Sequence, residues 1–121
     1  MFINFTNHPS GLWSKAQLDA ASTYGKIVDL PFPNVPPQFS EEEVQRMAAE
    51  YLDKILAMKP SAVLCQGEMT LTCLMAHRLL TAGIPALAAC SERRTEEQVN
   101  PDGSTQKVSV FVFCRFRAYS E

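Results

Sequence analysis

Apolar and polar residues alternate over Phe2–Thr6, a period of two that predicts a strand, and the pattern stops at the turn-forming cluster Asn7-His8-Pro9-Ser10-Gly11. Ser14-Lys15-Ala16-Gln17 has capping-box spacing and opens a helix with Leu18, Ala21 and Ser22 that closes at Gly25. Lys26–Leu30 reads as a second strand, ended by the extended Pro-rich connector Pro31–Pro37. A second capping box, Ser40-Glu41-Glu42-Glu43, precedes Val44, Met47, Ala48, Tyr51, Leu52, Ile55 and Leu56. Their three- and four-residue steps place them on one helical face, and Pro60 forbids continuation. Ser61–Cys65 is a short apolar strand, followed by Gln66-Gly67-Glu68 and an almost uniformly apolar helix from Met69 to Thr81 that ends at Gly83. Ile84–Cys90 is apolar throughout, as expected of a parallel strand covered on both faces. The polar run Ser91-Glu92-Arg93-Arg94-Thr95 reads as its end, and Pro101-Asp102-Gly103 as a turn. From Lys107 to Tyr119 the alternation is strict. Val108, Val110, Val112, Cys114 and Phe116 fall on one face, and Ser109, Phe111, Phe113, Arg115 and Arg117 on the other. This is an edge or antiparallel strand, with residues 95–100 a candidate hairpin partner.

The order β-α-β-α-β-α-β implies right-handed crossovers. The expected fold is α/β: a Rossmann-like three-layer sandwich, mainly parallel, with helices on both faces and a C-terminal antiparallel edge strand or hairpin. Residues 1–121 are expected to form one domain. In such sheets ligands bind beyond the carboxyl ends of the strands, near the point where strand order reverses. Three polar clusters fall at predicted strand ends: Asn7 to Ser10, Gln66 to Thr70, and Ser91 to Arg94. They are expected to converge.

Composition narrows the function class. With 46% hydrophobic residues and 20% charged, the chain has the apolar surface to fold, and its longest apolar runs fall short of a membrane span. The first residues lack the basic flank and apolar core of a signal peptide, so a cytoplasmic location is expected. Eleven Lys and Arg against 13 Asp and Glu leave no general cationic surface for long nucleic acid, although a few local donors suffice for a small anion. Cys65, Cys73, Cys90 and Cys114 form no C-x-x-C pair and read as buried free thiols. There is no G-x-G-x-x-G and no G-K-[ST], so no dinucleotide or triphosphate cofactor is expected, and no metal.

The segment Gln66–Thr70 leads into a helix whose free amides favour phosphate, and Gly67 permits close backbone approach. His8 is the one histidine at a predicted site, where turn-forming and chemical roles both fit; His77 reads as a packing or surface residue. Arg93 and Arg94 fit either a phosphate fork or surface pairing with Glu92, Glu96 and Glu97. The spacing from Cys90 to Arg93 is too short for a cysteine-phosphatase loop. Glu41–Glu43 serve a helix start.

Taken in order, Asn7-His8-Pro9-Ser10, Trp13 and Gln17, Val63–Glu68, Gly83-Ile84-Pro85, Ser91-Glu92-Arg93 and Phe113–Tyr119 resemble the small stand-alone CRISPR-associated Rossmann-fold (CARF-like) proteins of type III systems. These are the ring-nuclease and cyclic-nucleotide sponge families. The resemblance spans nearly the whole chain and lies in the order of short motifs. It implies a homodimer that binds a cyclic oligoadenylate, most often the tetra-adenylate, across its two-fold axis and cleaves or sequesters it. Asn7, His8 and Ser10 match the first loop of such families, Gln66, Glu68 and Thr70 the helix-opening loop, and Ser91 and Arg93 the loop after the fourth strand. The chain departs from them in lacking a basic patch, which leaves backbone amides and Arg93 or Arg94 to hold the phosphates. The implied reaction needs no metal, because the ribose 2′-hydroxyl is the nucleophile and the enzyme aligns it with the adjacent phosphorus. In that scheme His8 moves the proton, with Glu68 the competing base, while Ser10, Gln66, Thr70, Ser91 and Arg93 orient the phosphate. A non-catalytic sponge and a structural adaptor domain are the alternatives, and Trp13 fits either base stacking or packing.

Overall fold

The computed structural model describes residues 1–120. Strand β1 (Phe2–Phe5) leads through a 3-10 turn (Ser10–Leu12) to helix α1 (Lys15–Ser22) and strand β2 (Ile27–Asp29). Helix α2 (Glu41–Met58), strand β3 (Ala62–Cys65) and helix α3 (Met69–Thr81) follow, and the long strands β4 (Ala86–Val99) and β5 (Thr105–Ala118) complete the order. The sheet runs β2-β1-β3-β4-β5. The first four strands are parallel and β5 is antiparallel to β4, so the expected Rossmann-like α/β sandwich is the observed one.

Alternate residues of the central strands feed two cores. Ile3, Phe5, Val63, Cys65 and Ala86 face α2 and α3, where Ala48, Ile55, Leu71, Met75 and Leu79 close over them. Phe2, Ala62, Leu64 and Leu87 face the opposite side, against Trp13, Leu18 and Ala21. Burial on both faces is why Ala62–Cys65 and the start of β4 read as unbroken apolar runs, and β1, read as alternating, is likewise buried at all four positions, Asn4 included. Local signals set the helix ends. Ser40 Oγ accepts from the Glu43 N–H at 3.2 Å while the Glu43 carboxylate accepts from the Ser40 N–H at 3.3 Å, a complete capping box. Ser14 Oγ accepts from the Gln17 N–H. Helix α2 ends on Lys59 in the left-handed region, at φ 52°, immediately before Pro60. The Pro-rich connector is extended, and it drops Phe32 into the core 4.7 Å from the Phe5 ring.

Three expectations need correction. Strand β4 does not end at Cys90: it continues through the polar run to Val99, paired along its length with β5. Ser91–Phe113 thus belongs to a two-stranded arm, closed by the Asn100–Ser104 turn with Gly103 at φ 87°. Only Ala86 and Leu87 of β4 pair with β3, and both are buried; Ala88–Cys90 are half-buried. Second, the faces of β5 do not alternate strictly. A bulge leaves Cys114 opposite the step from Cys90 to Ser91, so Phe116 leaves the valine face and joins Phe113, ring centroids 4.9 Å apart. Third, the thiols are not uniformly buried: Cys65 is, Cys90 is half-buried, and Cys73 and Cys114 are exposed. No helix among the described residues is long and apolar enough to cross a membrane.

Candidate functional site

Strand order reverses between β1 and β3, since β2 lies on one side of β1 and β3 with its successors on the other. A crevice of about 720 Å³ opens there, on the α1 side of the sheet. Its floor is Leu64, Gln66 and Ala89. One wall is the loop after β1, with Thr6, Asn7, His8, Leu12 and Trp13 leading to Ser14 and Gln17; the other is the root of the β4–β5 arm, with Ser91, Phe111 and Phe113. This is where an open α/β sheet holds ligands.

The first wall is fastened from beneath. Asn4, 1% exposed, donates through Nδ2 to the His8 carbonyl and to Asp29 Oδ1, each at 2.9 Å. Its Oδ1 accepts from the Thr6 hydroxyl at 2.7 Å, and Thr6 Oγ1 accepts from the His8 N–H at 3.1 Å. The Asp29 carboxylate also accepts from the Ser10 N–H, at 3.2 and 3.3 Å. Trp13 Nε1 donates to the same His8 carbonyl at 3.0 Å, and its ring packs edge-on against Phe2. The bonds hold the His8 main chain from three sides. The His8 imidazole is left exposed on the crevice wall, and Trp13 takes the packing role.

The floor and the second wall are built differently. Gln66 Oε1 accepts from the Ala89 N–H at 2.8 Å, closing the gap where β3 and β4 part. The paired positions Ser91–Phe113 and Arg93–Phe111 share the crevice face of the arm. Arg93 lies beyond the lining and donates to Ser109 Oγ at 3.2 Å. Arg94, the next residue of the strand, points to the other face and pairs with Glu92 at 2.9 Å, so the two arginines form no fork. Phe111 is 74% exposed and Leu12 72% exposed, an apolar pair at the crevice edge.

The remaining expected site residues lie elsewhere. Glu68 is the N-cap of α3: its carboxylate accepts from the Thr70 and Leu71 N–H groups, both at 2.9 Å, and from the Thr70 hydroxyl. These bonds, the Leu71 amide first, hold its carboxyl below the usual carboxylate range. The helix amides that were to receive a phosphate therefore hold the chain's own acid. Gly67 is needed for packing against Phe32, since a Cβ there would lie 2.4 Å from the ring, and its N–H donates to Thr72 Oγ1. Ser10 serves the Asp29 tie rather than the crevice, and exposed His77 lines a separate depression on the α3 side. Of the three clusters, the crevice thus gathers Asn7, His8, Gln66 and Ser91, and leaves out Ser10, Gly67, Glu68, Thr70, Arg93 and Arg94.

Sequence patterning passed over Thr6, Leu12, Gln17, Phe111 and Phe113 as site residues. Gln17 follows Ser14 at capping-box spacing, which explained its presence without the crevice, but the box is only half made: Ser14 Oγ accepts from the Gln17 N–H and the Gln17 side chain does not reach back.

A doubly wound α/β domain with its crevice at the switch point is a ligand-binding class of fold. Within it, this chain belongs to the uncharacterized protein MJ1673 family, whose model matches residues 1–117. No curated protein and no solved structure matches it.

Proposed function

We propose that the crevice binds a cyclic oligoadenylate, most often the tetra-adenylate, and that the protein is a ring nuclease that lowers this messenger in type III CRISPR defence, acting as a homodimer. The observation that carries the reading is that His8 is the one titratable side chain among the described residues lining the crevice. The crevice also offers what a nucleotide ring requires: neutral hydrogen-bonding groups from Asn7, Ser14, Gln66 and Ser91, and apolar surface from Leu12, Phe111 and Phe113 for bases. Arg93 lies on the same face of the arm and is a cation available to a phosphate.

In this reading the ribose 2′-hydroxyl attacks the adjacent phosphorus and the O5′ bond breaks, leaving a 2′,3′-cyclic phosphate and a 5′-hydroxyl. His8 moves the proton. Glu68 is a poor competitor because its carboxylate is committed to capping α3. One observation favours the sponge instead: among the described residues no Lys or Arg lines the crevice, so charge developing on the phosphate meets only neutral donors and His8 there.

Incubation with cyclic tri-, tetra- and hexa-adenylate in EDTA, resolved by chromatography and mass, separates the readings. Linear products ending in cyclic phosphate are expected. His8→Ala is expected to lower turnover by roughly 10²- to 10⁴-fold, the usual contribution of a positioned proton-transfer group, with binding retained. Intact ligand that co-elutes with the protein establishes the sponge, and no binding to any ring overturns both.

A further inference from the structure

Gln17 is 8% exposed and lines the crevice. Its backbone N–H is tied to Ser14 Oγ, but its side-chain amide makes no hydrogen bond to any described residue. A buried amide left without partners costs free energy, and most proteins satisfy such groups. None of the sealed polar side-chain atoms in the described structure lacks a partner, so the Gln17 amide is open to solvent, and the crevice is the open space that Gln17 lines. Gln66, the other crevice glutamine, already has its oxygen engaged by the Ala89 N–H. Gln17 therefore presents a free donor and a free acceptor, side by side, to whatever enters.

We infer that Gln17 is the specificity residue of the crevice and reads the edge of an adenine base. The inference rests on the reading above that the crevice takes an adenine nucleotide. A carboxamide matches adenine in two bonds, its oxygen accepting from the exocyclic N6 amine and its nitrogen donating to N7. Hypoxanthine carries an oxygen in place of that amine, so the carboxamide oxygen then faces another acceptor. The apolar surface of Leu12, Phe111 and Phe113 lines the same space and suits the flat faces of the base. The fixed wall supports the reading: Gln17 lies in the first turn of α1, which Ser14 alone separates from Trp13, whose indole is bonded to the His8 carbonyl. A pre-positioned amide discriminates well because little ordering is required on binding.

The test titrates the protein with cyclic tetra-adenylate, AMP and IMP, followed by calorimetry and by fluorescence of Trp13, the single tryptophan of the chain, on the crevice wall. Gln17→Met keeps the length and burial of the side chain, and circular dichroism checks that it folds. The wild type is expected to prefer AMP over IMP by roughly 5- to 150-fold, the discrimination of one bidentate base contact, and Gln17→Met to lose that preference. The AMP and IMP comparison on the wild type needs no variant at all. Equal affinity for AMP and IMP overturns the inference, as does an unchanged preference in folded Gln17→Met, even where cyclic tetra-adenylate binds and the proposed function stands. If the ring fails to bind while AMP is preferred over IMP and Gln17→Met loses that preference, the proposed function falls and the role of Gln17 stands. Binding of none of the three overturns both.

Discussion

At the scale of single residues, several side chains that suggested chemistry serve the fold, and their physical state says how to tell. Glu68 has its carboxyl held below the usual range by amide bonds, so its stabilising contribution is present above the unfolded value. That contribution is lost as pH falls through the lowered folded value. The melting temperature of wild type should exceed that of Glu68→Ala by an amount equivalent to about 1 kcal/mol near neutrality, the usual cost of a lost N-cap. The gap should close on acidification below the carboxylate range. Gly67→Ala should destabilise by about 1–3 kcal/mol, the cost of overpacking, because its methyl meets the Phe32 ring. The cysteines divide by burial. Burial pushes the Cys65 thiol up to about 12, so at mild alkaline pH iodoacetamide followed by mass spectrometry should label exposed Cys73 and Cys114 and spare Cys65 until the chain unfolds.

At the scale of elements, the bulge at Cys114 decides which side of the sheet Phe116 occupies. There Phe116 covers Phe2, with ring centroids 5.2 Å apart, and lies beside Trp13. Deleting Cys114 should leave an uninterrupted ladder in which Phe116 still pairs with Ala89 and keeps its place in this cluster, with the near-ultraviolet circular dichroism of Trp13 unchanged. Cys114→Ala together with one inserted residue beside it should instead shift the register and turn Phe116 away. The parallel strands and the three helices were legible in the sequence because each carries its own signal: a capping box at Ser40, an N-cap at Ser14, apolar steps in α2, and unbroken apolar runs at Ala62–Cys65 and Ala86–Cys90. The arm was not. Ser91–Arg94 is solvated, so no hydrophobic alternation marks it as the continuation of β4, and its conformation comes from pairing with β5. A bulge likewise has no signature in polarity. The candidate site was legible where a loop follows a short buried strand, at Asn7, His8 and Gln66, and illegible where the arm supplies Phe111 and Phe113 from far along the chain.

At the scale of the whole molecule, the two walls of the crevice differ in how they are supported. The loop after β1 is bonded to a fully enclosed asparagine and to the Asp29 carboxylate, whereas the arm extends beyond the helical layers and leaves Phe111 largely in solvent. Replacing residues 93–111 with a two-residue Asn-Gly turn should leave the melting temperature of the α/β body within a few degrees, because both cores lie outside that segment. The same change should weaken ligand binding by removing Phe111. The support of the walls also bears on time. Amides tied to packed elements exchange their protons only on deep unfolding, while a ladder wet on both faces opens at low cost. The crevice is thus a vice with one fixed jaw and one compliant jaw. Its occupancy should be written in deuterium uptake along the arm alone: slow when a ligand sits between the jaws, fast when it leaves, with the clock of the His8 loop barely changed.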